Sequence, residues 1–362
     1  MPCIPVMRPK LPVAERVVEY LRRIDASRFY TNFGPLACSL EDRLAEHYGL
    51  GSGTVTTVAN GTLGLALTLA AQGAKPGTLC AMPAWTFVAS AHAAVNAGLV
   101  PYFIDVDAGS WSLDAAAVRA EIARAPAPVG AVMPVAPFGQ PVDVSAWDAF
   151  RAETGLPVVI DAAAGFDSLV AGETPAVVSL HATKVLGTGE GGFVVCADPS
   201  IIRNVHARSN FGFYGNREAK YAATNAKLSE YHAAVGHAAL DEWHETRAEW
   251  MAAAEAYDRA IARSNHIRMQ DGFGETWVSS TCVLRAADST ATRIEHALTA
   301  AGIETRHWWG NGAHLQPATA QFPRTPLPVT EALANSTFAV PFYRDIRSDE
   351  IRTISEVMLA AA

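Results

Sequence analysis

A chain of 362 residues has room for about two domains of ordinary size. Half of it is hydrophobic and 18% is charged, enough for a large packed core and too apolar for disorder. A net charge of −8 and a pI near 5.8 exclude a protein that coats nucleic acid through a basic surface. The hydrophobicity comes from Ala and Val rather than from a long uncharged run, so no membrane-spanning helix is expected. Cys3, Cys38, Cys80, Cys196 and Cys282 are scattered and form no C-x-x-C pair, so neither a disulfide framework nor a zinc site is suggested. The histidines show no metal-binding spacing, and no metal is expected. The first residues, from Met1 past Arg8 and Lys10, lack the apolar centre of a signal peptide, and a cytoplasmic location is the expectation.

In chain order, β-rich runs fall at 55–58, 79–82, 102–106, 131–135, 158–160, 177–180 and 193–196. Ala-rich stretches with helical periodicity lie between several of them, at 63–71, 87–97, 115–123 and 145–153. Asp114 and Asp143 stand where N-caps belong. The β-α-β rhythm predicts a mostly parallel sheet covered by helices, an α/β fold. The last two runs have no long helix between them and depart from this winding. Beyond residue 200 the pattern changes. Residues 229–263 read as one long helix or two joined ones, followed by strand character at 276–284, a helix at 291–301, a Pro-rich irregular stretch at 307–330 and a final helix at 348–360. The expected division is a large domain over 1–245 and a smaller α+β domain over 246–362, with about 25 N-terminal residues packing on the smaller one.

Gly187-Thr188-Gly189-Glu190-Gly191-Gly192 satisfies G-x-G-x-x-G, yet a strand follows it instead of a helix. A dinucleotide fingerprint needs the helix N-terminus at that place, so a tight Gly turn is the better reading.

Four local features carry chemistry. Lys184 is the only Lys or Arg within 174–192. A lysine in apolar surroundings loses its proton more readily and can then attack a carbonyl, although a solvated loop lysine fits the position equally well. Asp161 ends an apolar strand, where ligands bind in open α/β sheets; alone, it reads as well as a cap for the next segment. There a carboxylate can keep the pyridine ring of pyridoxal 5′-phosphate (PLP) protonated. Asn60-Gly61-Thr62 opens a helix and offers backbone N–H groups to a phosphate, or simply caps that helix. Trp85, at another strand end, can stack on an aromatic cofactor or pack in the core.

The order of these features, with 179–192 reading S-L-H-A-T-K-V-L-G-T-G-E-G-G, resembles the DegT/DnrJ/StrS family of PLP-dependent sugar aminotransferases. P-A-W-T-F-V-A at 83–89, F-I-D-V-D at 103–107, F-G-Q-P-V-D at 138–143 and N-A-K-L-S-E-Y-H-A-A-V at 225–235 match as well. The resemblance implies PLP transferase fold type I, with a large domain built on a seven-stranded sheet and a smaller C-terminal domain. It implies Lys184 as Schiff-base lysine and proton shuttle, Asp161 as partner of the pyridine nitrogen, and Trp85 stacked on the ring. Gly61, Thr62 and Ser179 would hold the phosphate, and Asn225 the phosphate of a neighbouring subunit in a homodimer with shared sites. The implied substrates are a nucleotide-linked keto sugar, of the 3- or 4-keto-6-deoxy type, and L-glutamate. Arg306, Trp308, His314, Tyr214 and Lys227 are candidate sugar-nucleotide contacts, because polar and aromatic residues gather in 211–227 and 306–316.

Departures from the family pattern are also visible. Ala164 and Phe166 stand where the family carries Gln and His, and the segment 306–314 is altered. Relatives with His in place of the lysine act as dehydratases, and Lys184 favours transamination. A PLP-dependent transaminase or lyase for a non-sugar substrate, and a non-catalytic regulator of the same fold, are the alternatives.

Overall fold

The computed structural model describes residues 3–262 and 264–362. Its centre is a twisted sheet assembled from two hydrogen-bonded groups of strands. The first four strands in the chain are β1 (Val55–Val58), β2 (Leu79–Pro83), β3 (Val100–Ile104) and β4 (Val129–Val132). They are followed by β5 (Ile160–Asp161), β6 (Ala176–Ser179) and β7 (Gly192–Val195). One group has the order β1-β7-β6-β5 and the other β3-β2-β4. Parallel bridges Val132↔Val158 and Val135↔Asp161 join the two groups. At this seam the Asp161 amide donates to the Pro134 carbonyl at 2.8 Å and the Ala136 amide to the Asp161 carbonyl at 2.9 Å. Pro134 has no amide to give, so regular pairing lapses here and the sheet reads as four strands plus three.

Pairing is parallel for β2 with β3 and β4 and for β5 with β6, and antiparallel where β7 meets β1 and β6. The short Gly-rich connection leaves no room for a crossover helix, so β7 must return antiparallel. β1, β2, β5, β6 and β7 are buried along their whole length, which explains their continuous apolar runs. Helices Gly61–Ala71, Val88–Asn96, Val144–Thr154 and Pro199–Ser209 accompany the strands. Asn60, Asp114, Asp143 and Asp198 cap their helices through side-chain oxygens.

The stretch read as one or two helices is two, Glu230–Asp241 and Trp243–Ile261; Arg263, the last residue of that reading, lies outside the described residues, as do Met1 and Pro2. Beyond them, β8 (Ile267–Arg268), β9 (Cys282–Ala286) and β10 (Thr337–Val340) form an antiparallel sheet with β9 in the middle. The strand expected at 276–284 starts only at Cys282. Before it the chain turns back on itself, with the Gly274 amide on the Trp277 carbonyl at 2.8 Å, and the buried Trp277 makes only an isolated bridge to Phe273. The helix Pro328–Ser336 interrupts the stretch read as irregular; Pro occupies its first turn, where no amide is needed.

The N-terminal residues divide their contacts. Ile4 bridges to Ile303 and the Val6 carbonyl accepts from Phe342, which places this part on the β8–β10 layer. The helix Ala14–Ser27 instead lies along Glu230–Asp241, tied by Tyr20 to Asp241 at 2.6 Å and by Arg16 to Glu242 at 3.1 Å. Glu230 itself is 1% exposed and accepts the amides of Leu36 and Ala37 at 2.8 Å each. Its carboxylate thus satisfies open N–H groups at the start of helix Pro35–His47.

Candidate active site

Strands β1, β2, β4, β5 and β6 all end on one edge of the sheet, and the loops that follow them surround a cavity of about 440 Å³. β1 delivers Asn60, Gly61 and Thr62; β2 delivers Thr86 and Phe87; β4 is followed by Val135, Ala136 and Phe138. β5 ends in Asp161 and continues to Ala163 and Ala164, and β6 brings Ser179, His181, Thr183 and Lys184. The roof comes from elsewhere: Met7 from the N-terminal segment, Ser280 and Thr281 before β9, and Trp308 with Trp309.

On the floor, the first turn of helix Gly61–Ala71 opens toward Ser179. A Cβ added at Gly61 would stand 3.4 Å from the Ser179 Cβ, so the two residues face each other at van der Waals distance. Gly192, the first residue of β7, lies directly beneath; a Cβ there would come within 2.9 Å of the Gly61 nitrogen. The Gly-rich turn therefore serves close packing of two backbones, and Gly189, with φ of 100°, makes its reversal. Open N–H groups plus the Thr62 and Ser179 hydroxyls make a set of donors that could hold a phosphate.

Asp161 is 6% exposed. Its carboxylate accepts the Ser90 hydroxyl at 2.7 Å and the Ala163 amide at 3.1 Å. Burial raises its pKa above the usual carboxylate range, opposed by these donors and by the Lys184 charge. Burial likewise holds the Lys184 ammonium below the ordinary lysine range, and Asp161 opposes that shift. Each group thus favours the other's charge while the apolar surroundings disfavour both. The Lys184 amide donates to the His181 carbonyl at 2.8 Å, anchoring the turn that carries it. His181 Nδ1 lies 2.8 Å from the Thr183 hydroxyl, and its Nε2 is 3.6 Å from Glu190, which also lines the cavity.

Several expected residues stand elsewhere. Trp85 is 2% exposed and does not line the cavity; it packs edge-on against Trp309 and Phe138, with centroids 5.3 Å and 6.2 Å away. The aromatic residue of this segment that lines the cavity is instead Phe87, 54% exposed. Trp85 lies two residues past the end of β2 and is packed into the core, whereas Phe87 stands at the cap of helix Val88–Asn96. His314 is corrected too: it is 2% exposed, buried beside Phe103 and away from the cavity. Trp308 lines the cavity, and Arg306 lies over its ring at 4.7 Å without reaching the cavity. Tyr214 sits edge-on to His206 and also stands apart from it. Asn225 is exposed and accepts from Lys227 at 2.6 Å; neither lines this chain's cavity. Of the two departures after Asp161, Ala164 faces the cavity, while Phe166 stacks on His47 in the core at 4.6 Å.

Sequence reasoning missed Ser90, Phe87, Ser280, Thr281 and Met7. Ser90 had a usable signal, four residues after Thr86 on one helical face. The others did not, since their place depends on how distant segments fold over the sheet.

Fold and cavity define an α/β enzyme scaffold that holds a partly buried amine and a buried acid beside a helix start with open N–H groups. Residues 13–359 match the DegT/DnrJ/EryC1/StrS aminotransferase family, and the chain belongs to that family. It is 32% identical to Protein Rv3402c of Mycobacterium tuberculosis (strain ATCC 25618 / H37Rv), over 98% of this chain and 89% of that protein. It is 34% identical to the dTDP-4-amino-4,6-dideoxy-D-glucose transaminase of Shigella dysenteriae over 64% of this chain and 63% of that one. The crystal structure of DesI in the presence of its TDP-sugar product superimposes with a TM-score of 0.88 at 30% identity, covering 99% of this chain and 93% of that chain.

Proposed function

We propose that this protein is a PLP-dependent aminotransferase that converts a nucleotide-linked keto sugar of the 3- or 4-keto-6-deoxy type to the amino sugar, with L-glutamate as donor. The observation that carries this reading is the convergence of Lys184, Asp161 and the Gly61–Ser179 cradle on one cavity. The donor set fits the cofactor: Gly61, Thr62 and Ser179 for the phosphate, Asp161 for the pyridine nitrogen, Phe87 for the ring face and Lys184 for the aldehyde carbon. When bound, PLP supplies an electron sink that stabilises negative charge at the carbon whose proton is removed.

The chain's own residues do the rest. Lys184 Nζ, favoured in its neutral form by burial, takes the proton from the donor's α-carbon and returns one when the sugar is aminated. Asp161 stays ionised and keeps the ring nitrogen protonated. Trp308, Trp309, Phe138 and Met7 exclude water from the reacting atoms and offer an apolar wall to a 6-deoxy sugar. Among the described cavity residues, Lys184 is the only Lys or Arg, which suits a neutral hexose better than a uronate. Asn225 and Lys227, outside this chain's own cavity, support a homodimer in which each copy completes its neighbour's site. The cytoplasm suits such an enzyme; no helix of the described residues is long and apolar enough to cross a membrane.

The deciding experiment loads the purified chain with PLP, adds L-glutamate, and follows the visible absorption band together with products from a panel of dTDP-, UDP- and GDP-linked keto sugars. Loss of the band with glutamate and its return with one keto sugar is the expected result. A colourless protein that takes up no PLP, or a loaded one that aminates no keto sugar in the panel, overturns the reading.

A further inference from the structure

The Asp161 carboxylate accepts only two hydrogen bonds among the described residues, and one of them comes from a different element, the helix Val88–Asn96. Ser90 is 0% exposed and Thr86, just before the cap of that helix, is 1% exposed. Their hydroxyl oxygens are 2.8 Å apart, and Ser90 Oγ stands 2.7 Å from Asp161 Oδ2. A carboxylate only accepts, so the single Ser90 proton is committed to Asp161. With Asp161 ionised, Thr86 then donates to Ser90 at 2.8 Å in preference to its longer 3.4 Å contact with the Phe87 carbonyl. The three groups thus form a one-way chain of hydrogen bonds, Thr86 to Ser90 to Asp161, all three buried. Each bond in such a chain polarises the next.

We propose that Ser90, backed by Thr86, is the positioning residue that keeps Asp161 ionised and fixes its carboxylate toward the cavity. The cofactor reading above enters only in naming the pyridine nitrogen as the group that Asp161 faces. Lys184 is the charged group that acts on Asp161 from across the cavity, and Ser90 and Thr86 act on it from the helix side. Buried in apolar surroundings, Asp161 would otherwise take up a proton itself, and a neutral acid gives the ring nitrogen no reason to stay charged. Protonation would also allow the chain to reverse, with Asp161 donating to Ser90.

The test uses the full chain free of PLP, with ¹³C-labelled aspartate, and titrates the Asp161 carboxyl by NMR; Asp161→Asn identifies the resonance. Ser90→Ala is expected to raise the Asp161 pKa by about one unit or more. Thr86→Val, close to isosteric, is expected to raise it by less in the same direction. In the PLP-loaded protein, Ser90→Ala should weaken cofactor affinity about tenfold and reduce the protonated fraction of a ¹⁵N-labelled pyridine nitrogen. An Asp161 that titrates at its wild-type pH in Ser90→Ala overturns the proposal. Should Ser90→Ala fail to fold, an unshifted Asp161 in Thr86→Val overturns it equally. If Asp161 shifts as expected while the wild-type chain takes up no PLP, the cofactor reading falls and the role of Ser90 stands.

Discussion

The floor and the roof of the cavity are built on different principles. Floor residues Gly61, Asp161, Ser179 and Lys184 follow directly on strands β1, β5 and β6, where backbone pairing fixes them. Roof residues Met7, Ser280, Thr281, Trp308 and Trp309 sit on segments with little regular structure, brought together from both ends of the chain. The floor carries the groups that form bonds or hold charge. The roof supplies shape, apolar surface and hydroxyls. A fold can vary its roof without disturbing chemistry held by the sheet, which is why binding specificity concentrates on loops.

The strongest way to break this contrast is at the floor. Lys184→Ala should lower transamination by at least about 10³-fold while thermal stability holds or rises, because a buried amine is removed. Single-turnover kinetics and a melting curve measure both; activity near wild type would refute the role of Lys184. A second comparison pits two aromatic neighbours against each other. Trp85→Ala should cost about 3–5 kcal/mol of stability, as a fully packed core side chain does. Phe87→Ala, at an exposed position, should leave the melting temperature nearly unchanged and weaken PLP affinity about tenfold. The reverse pattern would return the stacking role to Trp85.

The smallest effect lies off the cavity, at Glu41. Its Oε1 accepts the Thr57 amide and the Thr56 and Thr57 hydroxyls, at 2.7 to 3.4 Å, and burial nonetheless pushes its pKa up to about 7. In the unfolded chain the group ionises near 4.5, so the folded state holds an extra proton between the two values. Stability from this residue is therefore full at low pH and falls as pH rises toward 7. Glu41→Gln should flatten that fall, by on the order of 2 kcal/mol, in urea unfolding at pH 5 and pH 7.5. An unchanged pH slope would show that Glu41 is ionised throughout.

Much of the floor was legible in the sequence because its residues are local events: a Gly after a strand, an acid at a strand's end, a lysine alone in an apolar run. Trp85 and His314 misled for one shared reason. Aromatic and polar letters outside the regular elements say that a residue is large or can bond, and do not say which way it points. Trp85, just past β2, is consumed by the core. Phe87, two residues on, has left the strand at the helix cap, and its side chain reaches the cavity. Asn225 and Lys227 lie outside the cavity of their own chain, on a loop whose neighbours a single sequence does not list.

The sequence by itself determined the β-α-β order, the caps, the Gly turn and the placement of Lys184 and Asp161, since each follows from residues a few positions apart. Tertiary structure alone decided the seam at Pro134, the burial of Trp85 and His314, the roof over Lys184, and the hydrogen-bond chain from Thr86 through Ser90 to Asp161. Those depend on contacts between segments well separated in the chain, where packing and the need to satisfy buried polar groups select among directions that local propensity leaves open.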